Sequence, residues 1–347
     1  MPDSALWLLL LIIALAIGFG VVNGFNDAAN AIAASVGSRA ISPRNAIILA
    51  AFFNLAGAAT GLEVAKTIGK GILIPEALSY LTVIAALASV IIWGSIATRL
   101  GLPVSITHGF IAGLAAAGIA VAGSGAVVWD KMVRVGSSVA IAPVLGFIGG
   151  FTIMVILLWL FRRSAPARMR IIFSRLQWLT TAFLAYSHGK NDGQMPIGVI
   201  AMALVIYYQQ IGQFGQAAAV WDEIAFGSLW WVIVLSALAI SSGTAIGGWR
   251  VIRTLGMRVT VLRPVHGFVS DFSAATVIEV ASQFGIPVST THCASSAIMG
   301  VGATRRLSAV RWGVAGNIVA AWILTFPICG GLGYLFAWLL KPILQLT

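Results

Sequence analysis

The sequence predicts an all-α polytopic membrane protein. Three observations carry that prediction. Hydrophobic residues fill 59% of the 347 positions, charged residues only 9%. A soluble chain carries about 25% charged residues, and a surface this apolar would not stay dispersed. The mean hydropathy is +0.98, which also excludes disorder, since disorder needs low hydrophobicity and high charge. The apolar residues fall in runs. A helical span takes roughly 20 residues, so the chain has room for about ten to twelve spans and no sizeable soluble domain.

The runs follow in order. The first, at residues 6–22, is preceded by Asp3 and no basic residue, so it reads as a first span and not a cleaved signal. Others lie at 46–62, 79–98, 110–128 and 137–161, then at 176–187, 195–208, 224–246, 265–284, 294–303 and 312–340. The last is long enough for two spans divided near Pro327. Several are too short to cross alone. Short runs broken by Gly or Pro are what discontinuous helices and re-entrant hairpins look like in sequence. The 38 glycines suit close packing of membrane helices.

The net charge of +11 would favour nucleic acid in a soluble protein. Here it fits basic residues gathered in cytoplasmic loops, with no nucleic-acid partner. The clearest cluster is Arg162, Arg163, Arg168, Arg170 and Arg175, with no acid among them. It predicts a basic cytoplasmic linker at 162–175, between a first half (1–161) and a second half (176–347). The protein is then a multi-pass protein of the cytoplasmic (inner) membrane. Glu63 and Glu76 flank Lys66 and Lys70 in what reads as a solvated loop. Cys293 and Cys329 sit in apolar stretches as small core residues, without a disulfide or metal framework. Trp230-Trp231 suits a membrane interface.

The two halves match. Asn23-Gly24-Phe25-Asn26-Asp27 pairs with His188-Gly189-Lys190-Asn191-Asp192. Glu63–Gly69 pairs with Arg250–Gly256, and Gly101-Leu102-Pro103-Val104-Ser105-Ile106-Thr107-His108 with Gly285-Ile286-Pro287-Val288-Ser289-Thr290-Thr291-His292. All three come in the same order. Such internal repeats mark a secondary transporter, with its site at the repeat interface.

Two constellations carry chemistry. The first is Asn26-Asp27 with Asn191-Asp192. A carboxylate inside a membrane costs about 2.5–3.5 kcal/mol on insertion scales, so a matched pair points to function. Asn26, Asn30, Asn191 and Gln194 add uncharged donors and acceptors, and Gly24 and Gly189 would let the helix break. The second is the Pro-Val-Ser-x-Thr-His pair. Pro103 and Pro287 interrupt the chain before Ser105, Thr107, Ser289, Thr290 and Thr291. These hydroxyls and first-turn N–H groups make a neutral cradle for an oxyanion; the plainer reading is that they cap their own helices. His108 and His292 occupy one repeat position, read either as structural histidines or as proton carriers. His188 and His266 have no matched histidine. Asp271 and Glu279 lie near one helical face, with Asp271 the stronger candidate.

Two carboxylates beside a bare anion would repel it. They make sense if they hold a coupling cation, or accept a hydrogen bond from a protonated oxyanion. Phosphate near neutral pH keeps a P–OH donor and sulfate has none, which favours phosphate.

At these residues the sequence resembles the inorganic phosphate transporter (PiT) family, in its short bacterial or archaeal form. The resemblance is carried by Gly24-Phe25-Asn26-Asp27-Ala28-Ala29-Asn30-Ala31, by His188-Gly189-Lys190-Asn191-Asp192-Gly193-Gln194 and by the two Pro-Val-Ser elements. It covers about residues 10 to 335. It implies an inverted-repeat secondary transporter with discontinuous helices and re-entrant hairpins, a homodimer, and phosphate symport driven by sodium or protons; no cofactor and no enzymatic activity are expected. Phosphate would meet Ser105, Thr107, Ser289, Thr290, Thr291, Asn26, Asn191 and Gln194. The coupling ion would meet Asp27, Asp192, Asn23, Asn30 and Asp271, with sodium at Asp27 and Asp192. Asn54 and Asp271 stand where sodium-coupled animal members look to have Glu, a departure that weakens sodium. Sulfate transport is the alternative within the family. An intramembrane diphosphate-binding enzyme would need more carboxylates than one per motif. A passive channel does not suit two broken-helix motifs.

Overall fold

The computed structural model describes residues 2–344. Among them are fifteen α-helices and no strand beyond an isolated bridge between Leu73 and Val127. The first half holds α1 (Pro2–Asn26), α2 (Ala28–Gly37), α3 (Pro43–Ala58), α4 (Glu63–Gly71), α5 (Tyr80–Leu100), α6 (Ile106–Ala122) and α7 (Trp129–Leu160). The second holds α8 (Pro166–Asp192), α9 (Gln194–Gln210), α10 (Phe214–Phe226), α11 (Trp231–Ile246), α12 (Trp249–Arg253), α13 (Pro264–Gln283), α14 (Thr290–Ala303) and α15 (Trp312–Leu344). A π-helical turn, Thr254–Arg258, continues α12.

Local signals set the boundaries. Ser42 caps α3 by accepting from Asn45 N–H, with Pro43 in the first turn. Ser79 and Thr82 form a capping box on α5, which ends on Gly101 at φ +73°. Pro166 and Pro264 open α8 and α13.

Several expectations change. The basic segment 162–175 is not a linker loop. α8 begins at Pro166, so Arg168, Arg170 and Arg175 ride on an exposed helical turn. Arg is a good helix former, and Pro at the first position removes a donor that had no partner. The segment Glu63–Gly71 is helix α4, not a loop. The last run is one helix with Pro327 inside, not a pair of spans. Among the described residues five helical segments, α1 with α2 counted as one, are long and apolar enough to cross a membrane, or six if α3 with α4, bent by 69°, counts as one. α7 and α15 take 32 and 33 residues each, while α6, α9 and α14 are shorter and largely buried.

The matched elements exchange partners between the halves. α3 packs on α8 while α11 packs on α1. α4 packs on α9 while α12 and its π-turn pack on α2. α7 packs on α14 while α15 packs on α6. α10 lies outside this scheme. Two main apolar cores result, and each mixes both halves. One joins Phe19 of α1, Phe110 of α6 and Met195 of α9; the other joins Ile32 of α2, Leu184 of α8 and Ile298 of α14. The chain passes from one core to the other at Asp27 and again at Asp192-Gly193.

Charge is unequal at the two ends. Gly37 meets Gly256, Arg250 donates to the Arg99 carbonyl, and Arg311 donates to the Arg258 carbonyl at 3.4 Å. This end gathers Arg39, Arg44, Arg99, Arg250, Arg253, Arg258, Arg263, Arg305, Arg306 and Arg311, with no acid in those segments. Near the opposite end, where Leu73 bridges Val127 and Trp221 packs on Gly69, lie Glu63, Glu76, Asp130, Asp222 and Glu223.

Candidate substrate and coupling-ion site

Asp27 separates α1 from α2 yet keeps near-helical angles, φ −82° and ψ −38°. Its N–H reaches the Asn23 carbonyl at 2.8 Å, and Asn30 N–H closes on the Asp27 carbonyl at 3.0 Å. The interruption is a tightened turn, not an unwound segment. In the second half it falls one residue later, at Gly193 with φ −66° and ψ −20°. Gly24 and Gly189 do not break the helices. A Cβ on Gly24 would lie 2.2 Å from the Ile240 carbonyl oxygen, and one on Gly189 2.2 Å from that of Asn54. Their role is to let α11 and α3 close on α1 and α8.

The motif asparagines hold the Pro-Val-Ser segments. Asn26 Oδ1 accepts from Val104 N–H at 3.2 Å, while Nδ2 donates to Thr98 Oγ1 at 2.6 Å and to the Leu102 carbonyl at 3.4 Å. Asn191 Nδ2 donates to the Val288 carbonyl at 2.8 Å, and its Oδ1 accepts from Ser282 Oγ at 3.4 Å. Both amides are occupied by their own half, so they position the cradle. The third repeat match has a similar use across halves. Thr67 Oγ1 donates to the Gly285 carbonyl at 2.8 Å and Thr254 Oγ1 to the Gly101 carbonyl at 2.9 Å. Both glycines are left-handed, at φ +65° and +73°, where a side chain is strained.

The carboxylates reach across the repeat. Asp27 Oδ1 accepts from Thr291 Oγ1 of the second half at 2.7 Å, and Oδ2 from Ile106 N–H of its own half at 3.2 Å. Asp192 Oδ1 accepts from Thr107 Oγ1 of the first half at 3.2 Å, and Oδ2 from Thr290 Oγ1 of its own half at 2.9 Å. Asn191 Nδ2 adds a bond to Asp192 Oδ1 at 2.8 Å. Both acids are buried, and each feels the other's charge. Among the described residues no Lys or Arg bonds to either. Two buried carboxylates with no Lys or Arg partner leave negative charge that a bound cation would offset.

The remaining candidates divide. Ser105 Oγ and Ser289 Oγ cap α6 and α14, accepting from the N–H groups of His108 at 3.2 Å and His292 at 3.1 Å. Asn30 Nδ2 donates to Thr291 Oγ1 at 2.5 Å, and its Oδ1 has no partner. Asn23 is buried with neither amide atom paired. These spare amide atoms suit a cation between α1 and the carboxylates. Gln194 lies outside the cluster: its Oε1 accepts from Val64 and Ala65 N–H at 2.9 and 3.2 Å. α4 has no capping side chain of its own, and its first N–H groups need an acceptor. Asp271 is also apart. It accepts from Thr181 Oγ1 at 2.8 Å, and Thr181 precedes Asp192 on α8 by about three turns.

Sequence reasoning undervalued His188. Its Nδ1 lies 2.9 Å from Asn54 Oδ1, and its Nε2 3.2 Å from Asp192 Oδ2. Asn54 Nδ2 continues the chain to Thr244 Oγ1 at 3.0 Å. The signal was present, because the motif match sets His188 opposite Asn23. A search for a second histidine overlooked it.

A profile of the phosphate transporter family matches residues 23–333. The chain belongs to the phosphate transporter family. A "Probable low-affinity inorganic phosphate transporter" of Rhizobium meliloti (strain 1021) is 39% identical over 321 residues, covering 92% of each chain. A relative of the same description from Bacillus subtilis (strain 168) is 38% identical over 343 residues, covering 98% of this chain and 99% of its own. Among solved structures, "The sodium-dependent phosphate transporter" is similar with a TM-score of 0.85 and 28% identity, over 97% of this chain and 99% of that one. The family and its members are transporters, so the enzyme alternative falls away. The chain is a multi-pass membrane protein.

Proposed function

We propose that the chain is a cation-coupled symporter that carries inorganic phosphate across the cytoplasmic membrane by alternating access. The observation that carries this reading is the crossed pairing of Thr291 with Asp27 and Thr107 with Asp192. Each bond joins the halves, so closing the site and joining the halves are one event. Thr107 and Thr290 donate to Asp192, and Thr291 has its one proton between Asp27 Oδ1 and the Val104 carbonyl at 3.0 Å. A cation on Asp27 and Asp192 would compete for those oxygens and release the hydroxyls to donate to phosphate. The phosphate P–OH could in turn donate to a carboxylate, which sulfate cannot do.

The similar solved structure is that of a sodium-dependent phosphate transporter. Here, sodium at Asp27 and Asp192, with Asn23 and Asn30 completing the oxygen set, is the version best suited to uncharged amide oxygens. Asp271, bonded to Thr181, would serve the ion on its way along α8. The basic end faces the cytoplasm by the positive-inside rule. α2 ends at that basic end, whereas α8 starts from the basic turn at 162–165. That opposition supports an inverted arrangement of the halves. The homodimer that the resemblance implies belongs to the same proposal.

The test is labelled-phosphate uptake into proteoliposomes under a sodium gradient, a proton gradient or neither, with sulfate as competitor. Gradient-dependent uptake that sulfate does not compete away supports the reading. Sulfate accumulation without phosphate accumulation defeats it.

A further inference from the structure

The repeat-related histidines meet. His108 of α6 and His292 of α14 are both fully buried, with ring centroids 5.5 Å apart. Phe326 stacks on His108 at 5.6 Å and Trp322 lies against His292 at 4.1 Å, both from α15. Their polar atoms are poorly served. His108 Nε2 lies 3.5 Å from Ser138 Oγ. That hydroxyl already donates to the Val135 carbonyl at 2.7 Å, so it can only accept from His108. His108 Nδ1 has no partner. On His292 neither ring nitrogen is paired, although the Val139 carbonyl faces the ring. Ser295 Oγ, one turn along α14, is unpaired too. Buried polar atoms are almost always satisfied, so four orphans on facing helices point to something they bind.

The surroundings narrow what that is. From α8, the Asp192 charge acts on His108 and on Cys293. Asp27 lies across the cradle from Asp192. From α15 the titratable neighbour is Cys329, whose Sγ faces Gly109; from α7 only Ser138 and Val139 face the rings. The charged residues of α7 (Asp130, Lys131, Arg134) sit at its start, and Arg99 ends α5 at the basic end. The groups acting on the pair from other elements are thus anionic or neutral, while burial and the neighbouring ring oppose a second charge, so the pair suits one proton at most. A metal would want three such ligands together, and among the described residues no such group exists. Two imidazoles with bare nitrogens in an anionic setting suit a proton.

We propose that His108 and His292 form an internal proton-binding site, distinct from Asp27 and Asp192, whose occupancy is linked to phosphate in the cradle. The linkage is both electrical and mechanical. Each histidine follows directly on a cradle threonine, so an anion held there favours positive charge on the rings. Trp322 also donates through Nε1 to the Pro103 carbonyl at 3.1 Å. The ring stack thereby holds one of the two Pro-Val-Ser segments. This inference rests on the reading that phosphate binds at Thr107, Thr290 and Thr291.

The test compares the unmodified transporter with His108→Gln, His292→Gln and the double variant in proteoliposomes, measuring phosphate KM from pH 5.5 to 8. The double variant is expected to keep uptake while the midpoint of the pH dependence of its KM moves by about one unit or more from that of the parent. A double variant with retained uptake and a superimposable pH profile overturns the proposal. If the variants fail to fold, imidazole 15N spectra of the unmodified protein's four histidines decide the matter. Two signals titrating as a coupled pair, and moving with added phosphate, support it. Four independent titrations indifferent to phosphate overturn it. Failure of the phosphate reading shows differently, as absence of uptake by the unmodified transporter at every pH.

Discussion

Thr291 Oγ1 stands 2.7 Å from Asp27 Oδ1, although 264 positions separate them in the chain. The bond ties a hydroxyl of the second half to a carboxylate of the first, and Thr107 repeats the pattern in reverse on Asp192. A site closed by two such bonds opens only when the halves part. On the proposed function the carboxylates would be both the coupling groups and the latches.

The carboxylates should be irreplaceable in that double role. Asp27→Asn or Asp192→Asn should lower gradient-driven phosphate uptake by about a hundredfold or more, in line with a lost charge-assisted contact of a few kcal/mol. Protein yield and thermal stability in detergent should change little, because the amide keeps the shape. Uptake near the parent level in either variant rules out the coupling role.

The threonine hydroxyls should be separable from their side-chain volume. Thr291→Ala leaves Asp27 Oδ1 without its donor, and a hydrogen bond to a charged group is worth about 1.5–3 kcal/mol. Phosphate KM should rise about tenfold or more, and Thr291→Ser should recover most of it. Equal behaviour of the Ala and Ser variants would mean the hydroxyl is idle.

Gln194 should behave as a cap and not as a ligand. Gln194→Ala removes the acceptor of Val64 and Ala65 N–H and should cost about 1 kcal/mol of stability. A lower Tm with unchanged phosphate KM is the expected pair of results. An unchanged Tm with a raised KM would return Gln194 to the binding site.

Gly189 should tolerate no side chain. In Gly189→Ala the new Cβ meets the Asn54 backbone at 2.2 Å, so α3 must move off α8. Overpacking of this kind costs about 1–3 kcal/mol. Thermal unfolding checks it, and Gly136→Ala, where nothing lies within 4 Å, is the control.

The charge asymmetry predicts orientation. Cysteine introduced as Arg306→Cys should react with a membrane-impermeant maleimide only from the cytoplasmic side, and Glu76→Cys only from the outside. The cysteines of the chain, Cys293 and Cys329, are buried and should stay silent. Labelling of both new sites from one side contradicts the placement.

The membrane class and the family were legible in the chain because they are compositional or carried by local motifs. A charge content of 9% admits few classes, and three matched motifs in register define two halves without any contact being known. Helix ends were less legible: the kink at Asp27 and the entry into α8 at Pro166 depend on caps and packing that apolar runs do not encode. Only the tertiary structure sorted the candidates. Asn26 and Asn191 turned out to hold loops, Gln194 to cap α4, and Asp271 to sit three turns away, because each buried amide or carboxylate binds whichever backbone or hydroxyl packing brings near it. The exchange of Thr107 and Thr291 between the halves, and the meeting of His108 with His292, are likewise products of interleaved packing. Sequence alone could pair those residues by position, and folding decided which of them touch.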